Sequence, residues 1–233
     1  MAVVDAQYRF LYVAVGAQGS ANDAAVFNAS NFAHMITDNG NPLHIPSARE
    51  IPGTNIYTPM MFVADDAYPL RPNIMKPFSC RGLCASERIF NYRLSRARRV
   101  VENSFGILVN RFRILRHTIQ MEPEKVSDIV LAACALHNYL RHASVGDGDY
   151  SQDRSANDSR NSEALVTHVS HTTRQQGAHY NAAAKKVRDT LAEYFVAEGQ
   201  IPWQWKHANV VATDRESNDW MHNIQEAAYR YEQ

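Results

Sequence analysis

The chain has 233 residues, 45% of them hydrophobic and 10% aromatic, with 24 basic and 24 acidic side chains. That is enough apolar material for one ordinary domain with some extra, or two small ones, and it excludes global disorder. The zero net charge gives no global pull toward nucleic acid, so any such function has to come from a local patch.

The first stretch, "VVDAQYRFLYVAVGAQGS", reads as two strands rich in β-formers. Asp5-Ala6-Gln7 is the turn between them, and Gly16 and Gly19 end the second. Asp23 follows as the natural N-cap of a helix over "AAVFNASNFAHMI", with Val26, Phe27, Phe32 and Ile36 inward. "DNGNPLHIPSAREIPGTN" is a turn-rich loop, and "IYTPMMFVAD" is a strand with Pro59 near its start. A loop through Pro72 and Pro77 leads to a long helix from about Ser86. Its stripe is Phe90, Leu94, Ala97, Val101, Ser104, Leu108, Phe112 and Leu115, with Gly106 as a weak or kinked point. A second helix starts near Pro123 and runs through Val126, Ile129, Val130, Ala133, Leu136 and Leu140. Residues 143–180 are polar and read as a linker. Residues 181–233 hold a last helix, with Val187, Leu191, Tyr194 and Phe195 on one side, and a tail containing "IPWQW". The order of elements is α/β with an antiparallel pair first, as in a truncated mixed sheet.

The charge is unevenly placed. From Lys76 to Arg116 there are ten basic residues and two acids, a local charge of +8 balanced by −8 elsewhere. Within it, Arg96, Arg98, Arg99 and Arg111 lie around one acid, Glu102. The plain reading is a solvated helix face with an Arg98–Glu102 pair worth a few tenths of a kcal/mol. A helix made only for solubility would scatter several acids, however. A lone acid beside the buried stripe, with Gly106 one turn on leaving room, suggests a ligand. Asp65 and Asp66 close the strand "MMFVA", where carboxylates can face a crevice, although a turn alone is the plainer account. Asp65 and Glu102 supply two of the acids that a hard divalent cation needs, and the arginines would hold a nucleic-acid backbone.

Four strings now carry a resemblance: "VVDAQYRFLYVAVGAQGSANDAAVF", "FVADDAYPLRPNIMKPF", "FNYRLSRARRVVENSFGILVNRFRIL" and "IVLAACALHNYL". In this order the chain resembles the PIF/Harbinger transposases and their domesticated nuclease relatives, DDE superfamily endonucleases. The likeness covers residues 3–142 and extends weakly to "VRDTLAEYF" and "IPWQW". It implies an α/β, RNase H-like mixed sheet flanked by helices over residues 1–142, with the first strand missing. It implies three acids binding two Mg²⁺ or Mn²⁺ ions, which activate water or a 3′-hydroxyl against a DNA phosphodiester. By motif, Asp65 is the second acid, Asp66 its neighbour, and Glu102 the third. No residue here matches the first acid: Asp5 sits at the hairpin turn, and Asp23 falls in the "GSANDAAVF" motif as a cap or a support. The resemblance therefore reads as an N-terminally truncated copy whose cutting is impaired. The rival reading is a non-catalytic remnant that binds DNA or protein through its basic helix. The family also implies a nuclear location, extending to the cytoplasm, and a separate Myb/SANT-like DNA-binding partner.

Other residues complete the expectation. His137 in "LHNYL" reads as a hydrogen-bonded core histidine or a support to the site rather than a metal ligand. Asn91 and Ser95 are read equally as phosphate contacts or polar surface. Trp203 and Trp205 are read as packing the tail or a partner rather than stacking bases. Three cysteines, Cys80, Cys84 and Cys134, are too few for a disulfide framework and lack zinc-ligand spacing. The N-terminus reads as carrying no signal peptide. The apolar run over Val126 to Leu140 contains Asp128 and is too short for a bilayer, so no membrane association is expected.

Overall fold

Two short strands open the chain, β1 (Ala2–Val4) and β2 (Phe10–Val13), paired antiparallel with Ala2 opposite Val13 and a register shift between Val3 and Val4. The structure, a computed structural model, describes residues 1–17, 20–38, 40–79, 82–143 and 182–208. The hairpin turn is built by Asp5. Its Oδ1 accepts from the Gln7 and Arg9 backbone N–H groups, both at 2.9 Å, and its Oδ2 accepts from Arg9 Nε at 2.7 Å. Burial alone would raise the Asp5 pKa, but these hydrogen bonds and the Arg9 charge hold it below the ordinary value. Asp5 is thus fully used as a turn acid.

The expected helix after the hairpin is two helices, α1 (Asp23–Asn28) and α2 (Asn31–Thr37). Ser30 breaks the run because its hydroxyl caps α2, accepting from Ala33 N at 3.2 Å. The N-cap of α1 is Asn22, whose side chain accepts from Ala25 N at 2.8 Å, and not Asp23. Asp23 stands exposed in the first turn, where a negative charge suits the helix dipole.

The expected strand over 56–65 is also divided. β3 (Arg49–Glu50) pairs antiparallel with β4 (Tyr57–Thr58), and β5 (Phe62–Val63) pairs parallel with β6 (Ile74–Met75). Pro59 lies between β4 and β5, and it has no N–H to give a ladder. Among the described residues the strands thus form three two-stranded ladders, two antiparallel and one parallel.

The long helix, α3 (Ala85–Arg111), runs through Gly106 without a break. Phe90, Leu94, Ser104 and Leu108 of the expected stripe are buried, and Val101 and Phe112 are half-buried, but Ala97 is exposed. A single 3-10 turn, Arg113–Arg116, leads on to α4 (Pro123–Ala143). The chain ends its described part with α5 (Ala182–Val196) and α6 (Gln204–His207). No helix among the described residues is long and apolar enough to cross a membrane. The reading of 143–180 as a linker lies outside the described residues.

The chain divides into two compact units, and the division falls inside α3. Unit 1 comprises Met1–Leu43 and Arg98–Ala178. Its core is Phe10, Leu108, Ala133 and Cys134, flanked by Val4, Val13, Phe112 and Val130. Unit 2 comprises His44–Ala97 and His179–Gln233. Its core joins Leu70, Met75, Phe90 and Leu94 to Ala184 and Ala192, with Val187, Leu191 and Phe195 packed against them. The apolar side of α5 is therefore an integral wall of unit 2.

Candidate active site

In unit 1 the α3 turn that carries Glu102 is placed by its neighbours. Leu108 and Ser104 are buried on one side of the helix, and the Ser104 hydroxyl donates back to Val100 O at 2.8 Å. Phe105, one turn after Glu102, meets Phe10 of β2 edge to face with ring centroids 5.4 Å apart. Glu102 itself is exposed. Among the described residues its carboxylate has no hydrogen bond or ion pair, so the expected Arg98–Glu102 pair is not closed.

Helix geometry sorts the four arginines. At about 100° per residue, Arg98 and Arg99 share the Glu102 side, one turn before it, and both are half-buried. Arg111, nine residues on, comes out on the opposite side of the helix and is exposed, so it does not join Glu102. Arg96 belongs to unit 2 and is engaged there. Its guanidinium lies 4.4 Å from the Trp203 ring centroid and donates to Tyr92 Oη at 3.3 Å.

Asp65 also lies in unit 2, two residues after β5. It is half-buried, and its Oδ1 accepts from Ala67 N at 3.0 Å. The turn expected of "DDAYPL" is therefore formed, with Asp65 as its first residue. Asp66 is exposed and turned to Lys76, whose ammonium sits 3.2 Å from Asp66 Oδ1 and donates to Asp66 O at 2.8 Å.

His137 is wholly buried, and its Nε2 lies 2.7 Å from Tyr8 O. A carbonyl only accepts, so Nε2 carries the proton and donates. Burial pushes the His137 pKa below its ordinary value, the Tyr8 hydrogen bond opposes this, and the Arg141 charge adds to it. The result is a neutral, hydrogen-bonded core histidine. Tyr8 sits at φ +66, a left-handed backbone that costs a non-glycine residue energy, and the His137 bond helps hold it.

The sequence reading missed Asn138 and took Asn91 for a phosphate contact or polar surface. Asn138 accepts from Phe10 N and donates to Phe10 O, both at 2.8 Å, so α4 completes the edge of β2. In unit 2, Asn91 does the same for Phe78, accepting from N at 2.8 Å and donating to O at 2.9 Å. Asn91 is therefore a clamp rather than a phosphate contact. The string "LHNYL" held the signal for Asn138, a polar pair within the otherwise apolar run 129–140.

Carboxylate oxygens are the donors that Mg²⁺ and Mn²⁺ take, so Asp65 and Glu102 suit such an ion in kind. In number they fall short. Among the described residues no group of three His, Cys, Asp or Glu side chains could hold a metal ion.

Comparison with known proteins places the chain in one class. The DDE superfamily endonuclease profile matches residues 1–138, and the chain belongs to that family. A protein of Arabidopsis thaliana named "Protein ALP1-like" is 28% identical over 144 residues, which cover 60% of this chain and 34% of that protein. A Xenopus laevis protein named "Putative nuclease HARBI1" is 31% identical over 144 residues, 60% of this chain and 37% of that protein. Its Homo sapiens namesake is 37% identical over 79 residues, 33% of this chain and 22% of that protein. The chain thus spans well under half the length of these relatives. No solved structure matches it significantly.

Proposed function

We propose that the chain carries part of a divalent-metal-dependent DNA nuclease on an RNase H-like fold, with Asp65 and Glu102 as two of its acids. The observation that carries this reading is Glu102. An exposed carboxylate with two arginines one turn before it can close a helix pair worth a few tenths of a kcal/mol. Here it has no partner among the described residues, as suits a group whose partner comes from outside. Arg98 and Arg99, on the same side, would take the phosphate backbone. Mg²⁺ or Mn²⁺, when bound, would supply a Lewis acid beside the scissile phosphate. With two motif acids in these residues, metal binding is weak and cutting slow. The setting proposed is the nucleus, extending to the cytoplasm, with a Myb/SANT-like protein supplying end recognition.

A second reading is a non-catalytic module that binds DNA or protein through the same basic helix. It is favoured by the lack of a three-donor group among the described residues. Nicking of supercoiled plasmid DNA in Mn²⁺ or Mg²⁺, beside Asp65→Asn and Glu102→Gln, separates the two. Slow nicking lost in both variants supports the nuclease. No nicking by the folded wild type leaves the binding module. Nicking retained in both variants removes Asp65 and Glu102 from the site.

A further inference from the structure

Unit 2 carries a surface cluster that the nuclease reading does not use. Its centre is Trp203, just before α6, which leaves 41% of its surface exposed. Among the described residues its ring and cation contacts are with Arg96, Tyr92 and His207. Arg96 lies 4.4 Å from its ring centroid. Tyr92 meets it at 6.0 Å and 78°, and His207 at 6.3 Å and 73°. Tyr92 and His207 lie parallel to each other, 5.7 Å apart. Lys206 is exposed one residue before His207. Neither contributing segment, 88–99 of α3 or 199–208, contains a carboxylate.

Trp205, two residues after Trp203, is buried, and so is Gln204, which donates to Phe195 O at 2.6 Å and accepts from Arg93 at 3.0 Å. Those two residues anchor the segment. Trp203 is not needed for that and is left at the surface, held by Tyr92 and charged by Arg96. A large π-face beside Arg96 and Lys206, on two segments that carry no acid, matches one ligand chemistry, a flat base stacked on the ring with its phosphate on the cations. A base inside a duplex has both faces covered, so the ligand has to be unpaired.

We propose that Tyr92, Arg96, Trp203, Lys206 and His207 form a stacking platform for an unpaired base of single-stranded DNA. This rests on the reading of DNA as substrate and names the strand form that unit 2 engages. The test is fluorescence anisotropy of a labelled single-stranded oligodeoxynucleotide and its duplex, at one fixed salt concentration, in EDTA so that no cutting is involved. Wild type binds the single strand more tightly than the duplex. Trp203→Ala weakens single-strand binding about tenfold and leaves duplex binding within about twofold, the size expected for one lost base–aromatic stack. Trp203→Phe and Trp203→Leu both keep an apolar side chain against Tyr92, and circular dichroism checks that each is folded. Retained binding in Phe and lost binding in Leu is the expected signature. Equal binding by Leu and wild type overturns the platform and leaves Trp203 as packing or a protein contact. Equal losses on single strand and duplex overturn it too, as does tighter binding of the matching ribo-oligonucleotide. None of these outcomes requires metal, so failure here with nicking intact refutes the platform and not the nuclease.

Discussion

Asn138 in unit 1 and Asn91 in unit 2 do the same job in different surroundings. Each projects from a helix and makes a two-point bond to the backbone of one phenylalanine, Phe10 or Phe78. Around Asn91 the other polar groups are also spent on structure: Arg93 on Gln204 and Gly199 O, and Arg188 on Pro77 O. Around Asn138 the backbone is held just as firmly, by His137 and by Arg141, which donates to Gln7 O at 3.2 Å. Yet on α3 of the same unit, Glu102 is left open beside Arg98 and Arg99. The difference separates groups that hold the fold from groups that the fold holds out.

That separation can be broken by substitution. Asn138→Ala and Asn91→Ala each strand one backbone N–H and one C=O in part-buried positions. Each should cost about 2 kcal/mol, read as a lowered denaturant midpoint. Equal costs mean equivalent clamps, whereas a much smaller loss at Asn91 would show that α5 and α6 hold Phe78 without it.

Acid should act on unit 1 through His137. Its folded pKa lies below the ordinary 6.5, so the unfolded chain takes the proton first. Stability contributed by the neutral ring is full above about 6.5, falls as pH drops below that value, and stops falling once folded His137 is protonated. Asp5 adds its own loss only at lower pH, below its ordinary 3.8. Thermal midpoints from about pH 7.5 down to about pH 5 should therefore fall in wild type and fall less in His137→Gln.

Gly106→Ala should stabilise α3 by about 1 kcal/mol, because the position is helical and an added Cβ meets nothing within 4 Å. If the open space beside Glu102 receives DNA, the same change weakens DNA binding while raising the unfolding midpoint. Glu102→Gln should change stability by less than about 0.5 kcal/mol, as expected of an exposed residue with no described partner. A larger loss would place Glu102 among the groups that hold the fold.

Much of this was legible in the residues. The 3.6-residue stripe marked α3, which buries Phe90, Leu94, Ser104 and Leu108, and Pro123 marked where α4 begins, although Leu136 of the apolar run read for α4 is exposed. Asp5 was legible as a turn residue, and Glu102 as an acid out of place. The strands beyond the hairpin were not, because pieces of two residues are set by what pairs with them and not by any pattern of their own. The choice of Asn22 over Asp23 as cap was equally hidden, since both residue types cap well and they are adjacent. A lone asparagine on a helix looks like surface until the backbone it clamps is known. Arg96 and Arg111 looked alike in a run of arginines, and only Trp203 and the helix phase set them apart from Arg98 and Arg99.

The most direct test of the central claim, that Asp65 and Glu102 are metal-binding acids, is uptake of Mn²⁺ followed by loss of the free-ion electron paramagnetic resonance signal. The wild type is predicted to take up the ion weakly, with Asp65→Asn and Glu102→Gln each reducing uptake further. Uptake equal to wild type in both variants would contradict it.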